Sequence, residues 1–358
     1  MAAQTKSQKL MEKAFLAAKS VKGSTLPNPP VGAIFVKNGL IIASGATRPA
    51  GGPHAEIVGL RKALGEAAGS TLYVTLEPCA HFGRTPPCAR ALVEAGVRKV
   101  VAACEDPNPK VAGKGFEELR RAGIEVVTGV LREQAEEFYA PFFFYMRHGR
   151  PRIVAKIAQS LDGRINAAPG RETAITGKEA RRFAHALRAR ADAILIGGST
   201  LRIDDPDLTP RLTGGAAPHA LVLTRRRRLD PKLRVFAAGR KSGTTVLSAH
   251  ASTGLPDRIG HFRLAREGGK PLVDQLMGFF AERGYHEVLL EGGRGVWSPF
   301  LEAGLCDILH VVTASVLLPG GEAWSAGLAP RWAKPLEIHR FTPLGQDILA
   351  EFRRRMSG

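Results

Sequence analysis

Between residues 71 and 130 the sequence keeps changing its period. TLYVTLE (71–77) is a short apolar run, CARALVEAG (88–96) reads as a helix closed by Gly96, and VRKVVAAC (97–104) and IEVVTGV (124–130) are strand-like again. The second half repeats the habit, with a helix over 177–191, strands ADAILIGG, HALVLT and GTTVLSAH, a helix over 271–283, strand HEVLLEGG, a short helix and strand DILHVVTASVLL. Such alternation predicts a mostly parallel sheet covered by helices. Ahead of it, VGAIFVKNGLIIASG (31–45) places two β-rich runs around Asn38-Gly39, a strong hairpin signal. The pattern restarts near FFFYMRHGRPR (142–152), where Gly149 and Pro151 punctuate the chain. Two domains are therefore expected, residues 1–149 and 150–358, a division that suits 358 residues.

The first 22 residues are basic, and Leu10, Met11, Ala14, Phe15 and Ala18 recur at helical spacing, which predicts an amphipathic helix rather than a secretory signal. No run approaches the ~18 apolar residues of a membrane span. The reading is therefore a cytoplasmic protein with no membrane partner, where cysteines serve more often as metal ligands or catalysts than in disulfides. Lysine and arginine (51) against aspartate and glutamate (33) leave a formal charge of +18, which favours an anionic partner. The densest runs, Arg225 to Arg228 and Arg353 to Arg355, have no interleaved aromatics to stack bases and are read as solvated faces.

Four residues carry metal chemistry. Pro53-His54-Ala55-Glu56 opens a predicted helix, with His54 and Glu56 in its first turn. LEPCAHFGRTPPC (76–88) puts Cys79 at a strand end and Cys88 at the start of the next helix, so both thiols are expected at helix N-termini that lower their pKa. One imidazole and two thiolates are three ligands for tetrahedral Zn²⁺ with one position left open, the pattern of a catalytic site. Glu56 is then free to move a proton as general acid and base. That chemistry is hydrolytic deamination of a nucleobase-like ring. Cys104 and Cys306 lack such company and are read as core.

The order PHAE…EPC…C resembles the zinc deaminase signature, except that eight residues rather than two separate the cysteines. With NPPVGAIFVKNG (28–39) and EDPNPKVAGKG (105–115), it is similar to the deaminase half of the bifunctional deaminase-reductases of riboflavin biosynthesis. The resemblance implies an α/β chain with an N-terminal cytidine-deaminase-like three-layer domain and a C-terminal dihydrofolate-reductase-like domain. It implies Zn²⁺ and NADPH as cofactors, and deamination of 2,5-diamino-6-(5-phosphoribosylamino)pyrimidin-4-one followed by reduction of the ribosyl group to ribityl. The partner is then a small phosphorylated pyrimidine rather than nucleic acid, and self-association is expected. Asn28, Arg84, Asp106 and Asn108 are the implied substrate contacts. Where the family has a histidine ahead of HAE, this chain has Thr47.

KIAQSLDGRI (156–165), ARRFAHALRARADAILIGGSTLRIDDPDLTPR (180–211) and VLLEGGRGVWSPFL (288–301) carry the resemblance through the second half. It implies that Ala158, Ala174, Thr200, Asp204, Gly293, Arg294, Gly295, Val296, Trp297, Ser298 and Pro299 line the NADPH side. Glu172, Arg188, Leu208, Arg211 and Glu291 face the phosphosugar, and Lys156, Asp204 and Glu291 are the catalytic candidates. No G-x-G-x-x-G follows a first strand, so a Rossmann site is not indicated; Gly292-Gly293 instead lets backbone N–H groups approach a phosphate. Glu172-Thr173-Ala174 stands where the family often has Ser-x-Trp. Three rivals stay open: a deaminase with an altered reductase half, a tRNA adenosine deaminase, and an RNA-binding protein on a degenerate deaminase scaffold.

Overall fold

A computed structural model of the chain describes residues 4–80, 86–108, 112–240, 242–251, 253–265, 270–326, 328 and 336–354. Two compact units divide it, Met1–Arg150 and Pro151–Gly358.

In the first unit α1 (Lys6–Ser20) precedes a hairpin of β1 (Gly32–Lys37) and β2 (Leu40–Ala46). Asn38 and Gly39 both take positive φ, 50° and 79°, as a two-residue turn matched to strand twist requires. Then come α2 (Ala55–Lys62), β3 (Thr71–Val74), α3 (Cys88–Glu94), β4 (Lys99–Ala102), α4 (Lys114–Arg121), β5 (Glu125–Thr128) and α5 (Arg132–His148). The sheet order is β2-β1-β3-β4-β5, antiparallel at β1 and parallel from β3 to β5. Side chains alternate across it with period 2. Ala33, Phe35, Leu72 and Val100 face α2, α3 and α4 through Ala55, Leu92 and Phe116. Ile34, Val36, Tyr73 and Val101 face α1 and α5 through Met11, Phe15 and Tyr139. The result is the three-layer arrangement expected from the resemblance.

The second unit runs β6 (Arg152–Gln159), α6 (Lys178–Arg190), β7 (Ala193–Gly197), α7 (Gly198–Asp204), β8 (His219–Leu223), β9 (Thr244–Ser248), β10 (Gly260–Arg263), α8 (Leu272–Glu282), β11 (Glu287–Glu291), α9 (Arg294–Glu302), β12 (Ile308–Thr313), β13 (Glu337–Leu344) and β14 (Asp347–Arg353). The sheet order is β10-β9-β8-β7-β11-β6-β12-β14-β13, parallel from β10 to β12 and antiparallel at β14 and β13. The parallel strands are apolar through their centres, as strands covered on both faces are; Ile194, Ile196, Ala220, Val222 and Val246 pack into one cluster with Leu187 of α6. The sequence reading has no counterpart for α7, β10, β13 or β14. Arg225 to Arg228 lie exposed just after β8, as a solvated run should.

Candidate metal centre and two cavities

His54 is the N-cap of α2, one residue ahead of the helix rather than inside its first turn as the sequence predicts, with extended backbone (φ −70°, ψ 166°). Its Nδ1 lies 3.6 Å from Cys79 Sγ and 3.3 Å from Cys88 Sγ. The three ligand atoms all fall within 4.8 Å of one another, and theirs is the one such group of three or more metal-ligating side chains found among the described residues. Tetrahedral zinc, with bonds of about 2.0–2.1 Å to nitrogen and about 2.3 Å to sulfur, sets N and S roughly 3.6 Å apart. The donor set and its edges therefore fit Zn²⁺.

The protein field holds this trio through shared protons. The Cys79 thiol is pulled down to about 4, first by a hydrogen bond from Cys88 and further by His54. Its sulfur also accepts the Cys88 backbone N–H at 3.4 Å. Cys88 moves the other way, held well up by the proton it shares with Cys79 and by burial. The expectation that both thiols are lowered is met for Cys79 alone, because the two sulfurs share one proton and burial holds it on Cys88. His54 is raised to about 8, chiefly by its hydrogen bond to Cys79. A dication bound here must displace these protons, so metal binding and proton release are coupled.

Glu56, two residues on, is 3% exposed, and burial pushes its carboxyl up to about 7. It shares the wall of a cavity of about 400 Å³ with His54, Cys79, Asn28, Thr47, Asp106 and Asn108. Arg84 lies outside the described residues. Thr47 hangs from the end of β2: its hydroxyl accepts the Val31 N–H at 3.0 Å and faces the Val31 carbonyl at 3.4 Å, so it ties two chain segments together where the family has an imidazole. Sequence reasoning passed over Glu77, Phe142 and Met146, which also line the cavity. Glu77 accepts the backbone N–H groups of Asp106, Gly113, Gly115 and Phe116 at 3.0–3.3 Å, pinning the segment that carries Asp106 and Asn108 to the start of α4. Its position in Glu-Pro-Cys, beside a ligand, was the available signal.

The approach of α4 to Cys79 depends on Gly115, where a Cβ would lie 1.9 Å from the Pro78 carbonyl oxygen. Gly115→Ala is expected to force the two apart, at an overpacking cost of about 1–3 kcal/mol, and to weaken zinc retention. Denaturant unfolding and metal content after dialysis against a chelator check both; an unchanged variant on both counts would show that the contact relaxes freely.

The second unit holds a cavity of about 790 Å³ at the C-terminal ends of β6, β7 and β11, where strand-to-helix loops leave room for ligands in open α/β sheets. Lys156, Ala158, Glu172, Arg188, Thr200, Asp204, Leu208, Arg211, Glu291, Gly293, Arg294, Gly295 and Trp297 line it. Four expected residues do not. Ala174 is exposed beside it; in α9 the helical phase sets Val296 and Pro299 off the face of Arg294, Gly295 and Trp297, while Ser298 shares that face one turn beyond Arg294 and is not part of the wall. Val296 packs toward Gly197 instead.

On the cavity wall Arg188 grips Glu291 in a bidentate pair, Nε to Oε2 at 2.8 Å and Nη2 to Oε1 at 2.6 Å. Lys156 sits beside Glu291 across the β6–β11 ladder, and burial lowers its pKa while Glu291 works to raise it. Asp204 is pushed up to about 6 by burial, with Glu172 and Glu291 adding negative field. Thr200 Oγ1 accepts the Gly293 N–H at 3.0 Å, and Gly292 takes φ 141°, a conformation open in practice to glycine alone. Thr200 thereby fixes the glycine turn. Arg171, Arg202 and Arg234, not anticipated individually, add positive charge to the same walls.

The sequence matches two family descriptions, the cytidine and deoxycytidylate deaminase zinc-binding region over residues 4–104 and the RibD C-terminal domain over residues 151–349. It is 39% identical to the riboflavin biosynthesis protein RibD of Aquifex aeolicus over 96% of this chain and 97% of that one. The Escherichia coli protein of the same name is 37% identical over 92% and 93%. Among solved structures, Acinetobacter baumannii RibD superposes with a TM-score of 0.75 at 35% identity, covering 98% of this chain and 99% of that one. A Thermotoga maritima diaminohydroxyphosphoribosylaminopyrimidine deaminase/5-amino-6-(5-phosphoribosylamino)uracil reductase does so at 0.75 and 33%, covering 97% and 98%.

Proposed function

The chain belongs to the RibD family of riboflavin biosynthesis proteins, and on that premise we propose that its two cavities perform two successive reactions on one phosphorylated pyrimidine. The first unit removes an amine from the diaminopyrimidinone ribosyl phosphate by hydrolysis, and the second reduces the ribosyl group to ribityl with NADPH. The observation that carries this reading is the convergence of His54, Cys79 and Cys88 within 4.8 Å, with buried Glu56 on the wall of the same cavity as two of them.

His54 Nδ1 and the two sulfurs would hold Zn²⁺, which when bound would supply Lewis acidity and bring the pKa of a water to about 7. The Glu56 carboxyl takes the proton from the attacking water and hands it to the departing amine. A carboxyl whose pKa sits near neutrality can do both without a large free-energy step. Asn28, Asp106 and Asn108 orient the ring and its sugar, and Arg84 is assigned to the phosphate from the family resemblance. In the second unit NADPH, when bound, would supply the hydride. Gly293, Arg294, Gly295 and Trp297 would form its wall, Lys156, Asp204 and Glu291 are the groups on the same cavity able to move a proton to the opening sugar, and Arg211 would offer a planar fork to the phosphate.

No helix among the described residues is long and apolar enough to cross a membrane. Exposed Ile338, Phe341 and Ile348 on β13 and β14 support self-association, which sedimentation velocity tests. For the two activities the test is a coupled assay. Ammonia release from the diaminopyrimidinone phosphate should precede NADPH oxidation, and the deaminated compound alone should sustain oxidation. Purified protein without stoichiometric zinc, or NADPH oxidised with the aminated compound while ammonia release is blocked, sinks the reading.

A further inference from the structure

Asn28 belongs to Asn28-Pro29-Pro30, a stretch with an unusual handicap. Two consecutive prolines offer no backbone N–H, so only carbonyls and side chains can moor the segment. On its N-terminal side Thr25 does this twice: its carbonyl accepts the Asn28 N–H and its hydroxyl donates to the Asn28 carbonyl, both at 2.9 Å. On its C-terminal side the Pro30 carbonyl accepts the phenol of Tyr139 at 3.0 Å, from α5, 109 residues away.

Proton counting gives that contact a direction. Tyr139 has one hydroxyl hydrogen, and Pro30 offers only an acceptor, so the hydrogen goes to Pro30. Thr75 Oγ1, 2.6 Å from the Tyr139 oxygen, must then be the donor there. Thr75 Oγ1 in turn accepts the Gly32 N–H at 3.1 Å. The hydrogen-bond chain runs from the Gly32 N–H through the Thr75 and Tyr139 hydroxyls to the accepting Pro30 carbonyl, and closes a loop around Val31 at the mouth of β1. Tyr139 and Thr75 are 1% and 0% exposed, so no water substitutes for either link. Neither lines the cavity, which is walled here by Asn28, Pro29 and Val31.

We propose that Tyr139 is a positioning residue for amine removal, holding Asn28 against the substrate through the Pro30 carbonyl and the Thr75 hydroxyl. The proposal rests on the assignment of Asn28 to substrate contact. It gives α5 a double role, since Phe142 and Met146, one and two turns on, form the apolar wall of the same cavity.

The test compares Tyr139→Phe, which keeps the ring packed, with Thr75→Val, Thr75→Ser and Asn28→Ala in zinc-loaded full-length protein. Amide exchange at Val31 and Gly32 should quicken in Tyr139→Phe and Thr75→Val but not in Thr75→Ser, which restores the hydroxyl. KM for ammonia release should rise about three- to tenfold in the first two, the worth of one neutral hydrogen bond, with kcat within about twofold and zinc content unchanged. Adding Tyr139→Phe to Asn28→Ala should raise KM no further. Unchanged exchange in Tyr139→Phe overturns the proposal, as does faster exchange with parental KM when Asn28→Ala itself raises KM. An Asn28→Ala enzyme with parental KM instead sinks the assignment of Asn28 to substrate, while the exchange result decides the anchor on its own.

Discussion

Glu56→Gln is expected to keep its zinc and lose about 10²–10⁴-fold in the rate of ammonia release, the usual worth of a positioned general acid and base. Glutamine reproduces the shape and polarity of the side chain at the second position of α2 but cannot carry a proton between water and amine. The carboxyl is buried, and its pKa of about 7 comes chiefly from desolvation, opposed by the field of His54. Removing the negative charge therefore relieves a buried ion rather than creating one, and folding should not suffer. Metal content and single-turnover ammonia release separate the outcomes. Retained zinc with rates within threefold of the parent would mean that another group moves the proton. Lost zinc would make Glu56 a ligand. NADPH oxidation with the deaminated compound should be untouched in either case, because Glu56 and the second cavity lie in different units.

How far the sequence announces this site depends on how its parts are encoded. His54, Glu56, Cys79 and Cys88 sit in two short motifs whose residue types and order were enough to name them, whereas Asn28, Asp106 and Asn108, in proline-marked turns, were named only through the family resemblance. Tyr139, Phe142 and Met146 were invisible because they come from a helix whose apolar residues have an equally good reason to be apolar: Tyr139 and Phe142 are core residues against β1 and β4. Glu77 stands in Glu-Pro-Cys beside a ligand, but its role was hidden because the groups it binds are backbone N–H groups, which leave no mark in a sequence. In the second unit the glycine turn after β11 was legible, but the resemblance, carried over as the continuous run Gly293 to Pro299, did not distinguish the face and depth of each α9 residue, so Val296, Ser298 and Pro299 were placed with neighbours that line the cavity. The hairpin of β13 and β14 escaped because β13 is exposed along most of its length, and a strand without a buried face has no alternation to read.

Arg188 and Glu291 should be separable into a stability role and a chemical one. Both side chains are mostly buried, at 13% and 16% exposure. Burial works against each charge, yet the mutual attraction wins: Glu291 is held below the ordinary carboxylate range and Arg188 above its own. Because the Glu291 pKa is lowered in the folded state, its contribution is present at neutral pH and fades as acid protonates it. Glu291→Ala leaves a guanidinium buried without its partner and is expected to destabilise the second unit by about 3–5 kcal/mol. Exchanging both for apolar residues, Arg188→Met with Glu291→Leu, removes the two desolvation penalties together and should recover most of that loss. NADPH oxidation should not return with it, because Lys156 then faces a leucine where Glu291 had helped keep its amine protonated, and the cavity loses two of the charges proposed to meet the phosphosugar. Denaturant unfolding of each variant, read beside NADPH oxidation with the deaminated compound, checks both halves. If the double variant regains stability and also turns over, the pair is a structural clasp that the reaction does not use, and proton transfer must be sought at Asp204 instead.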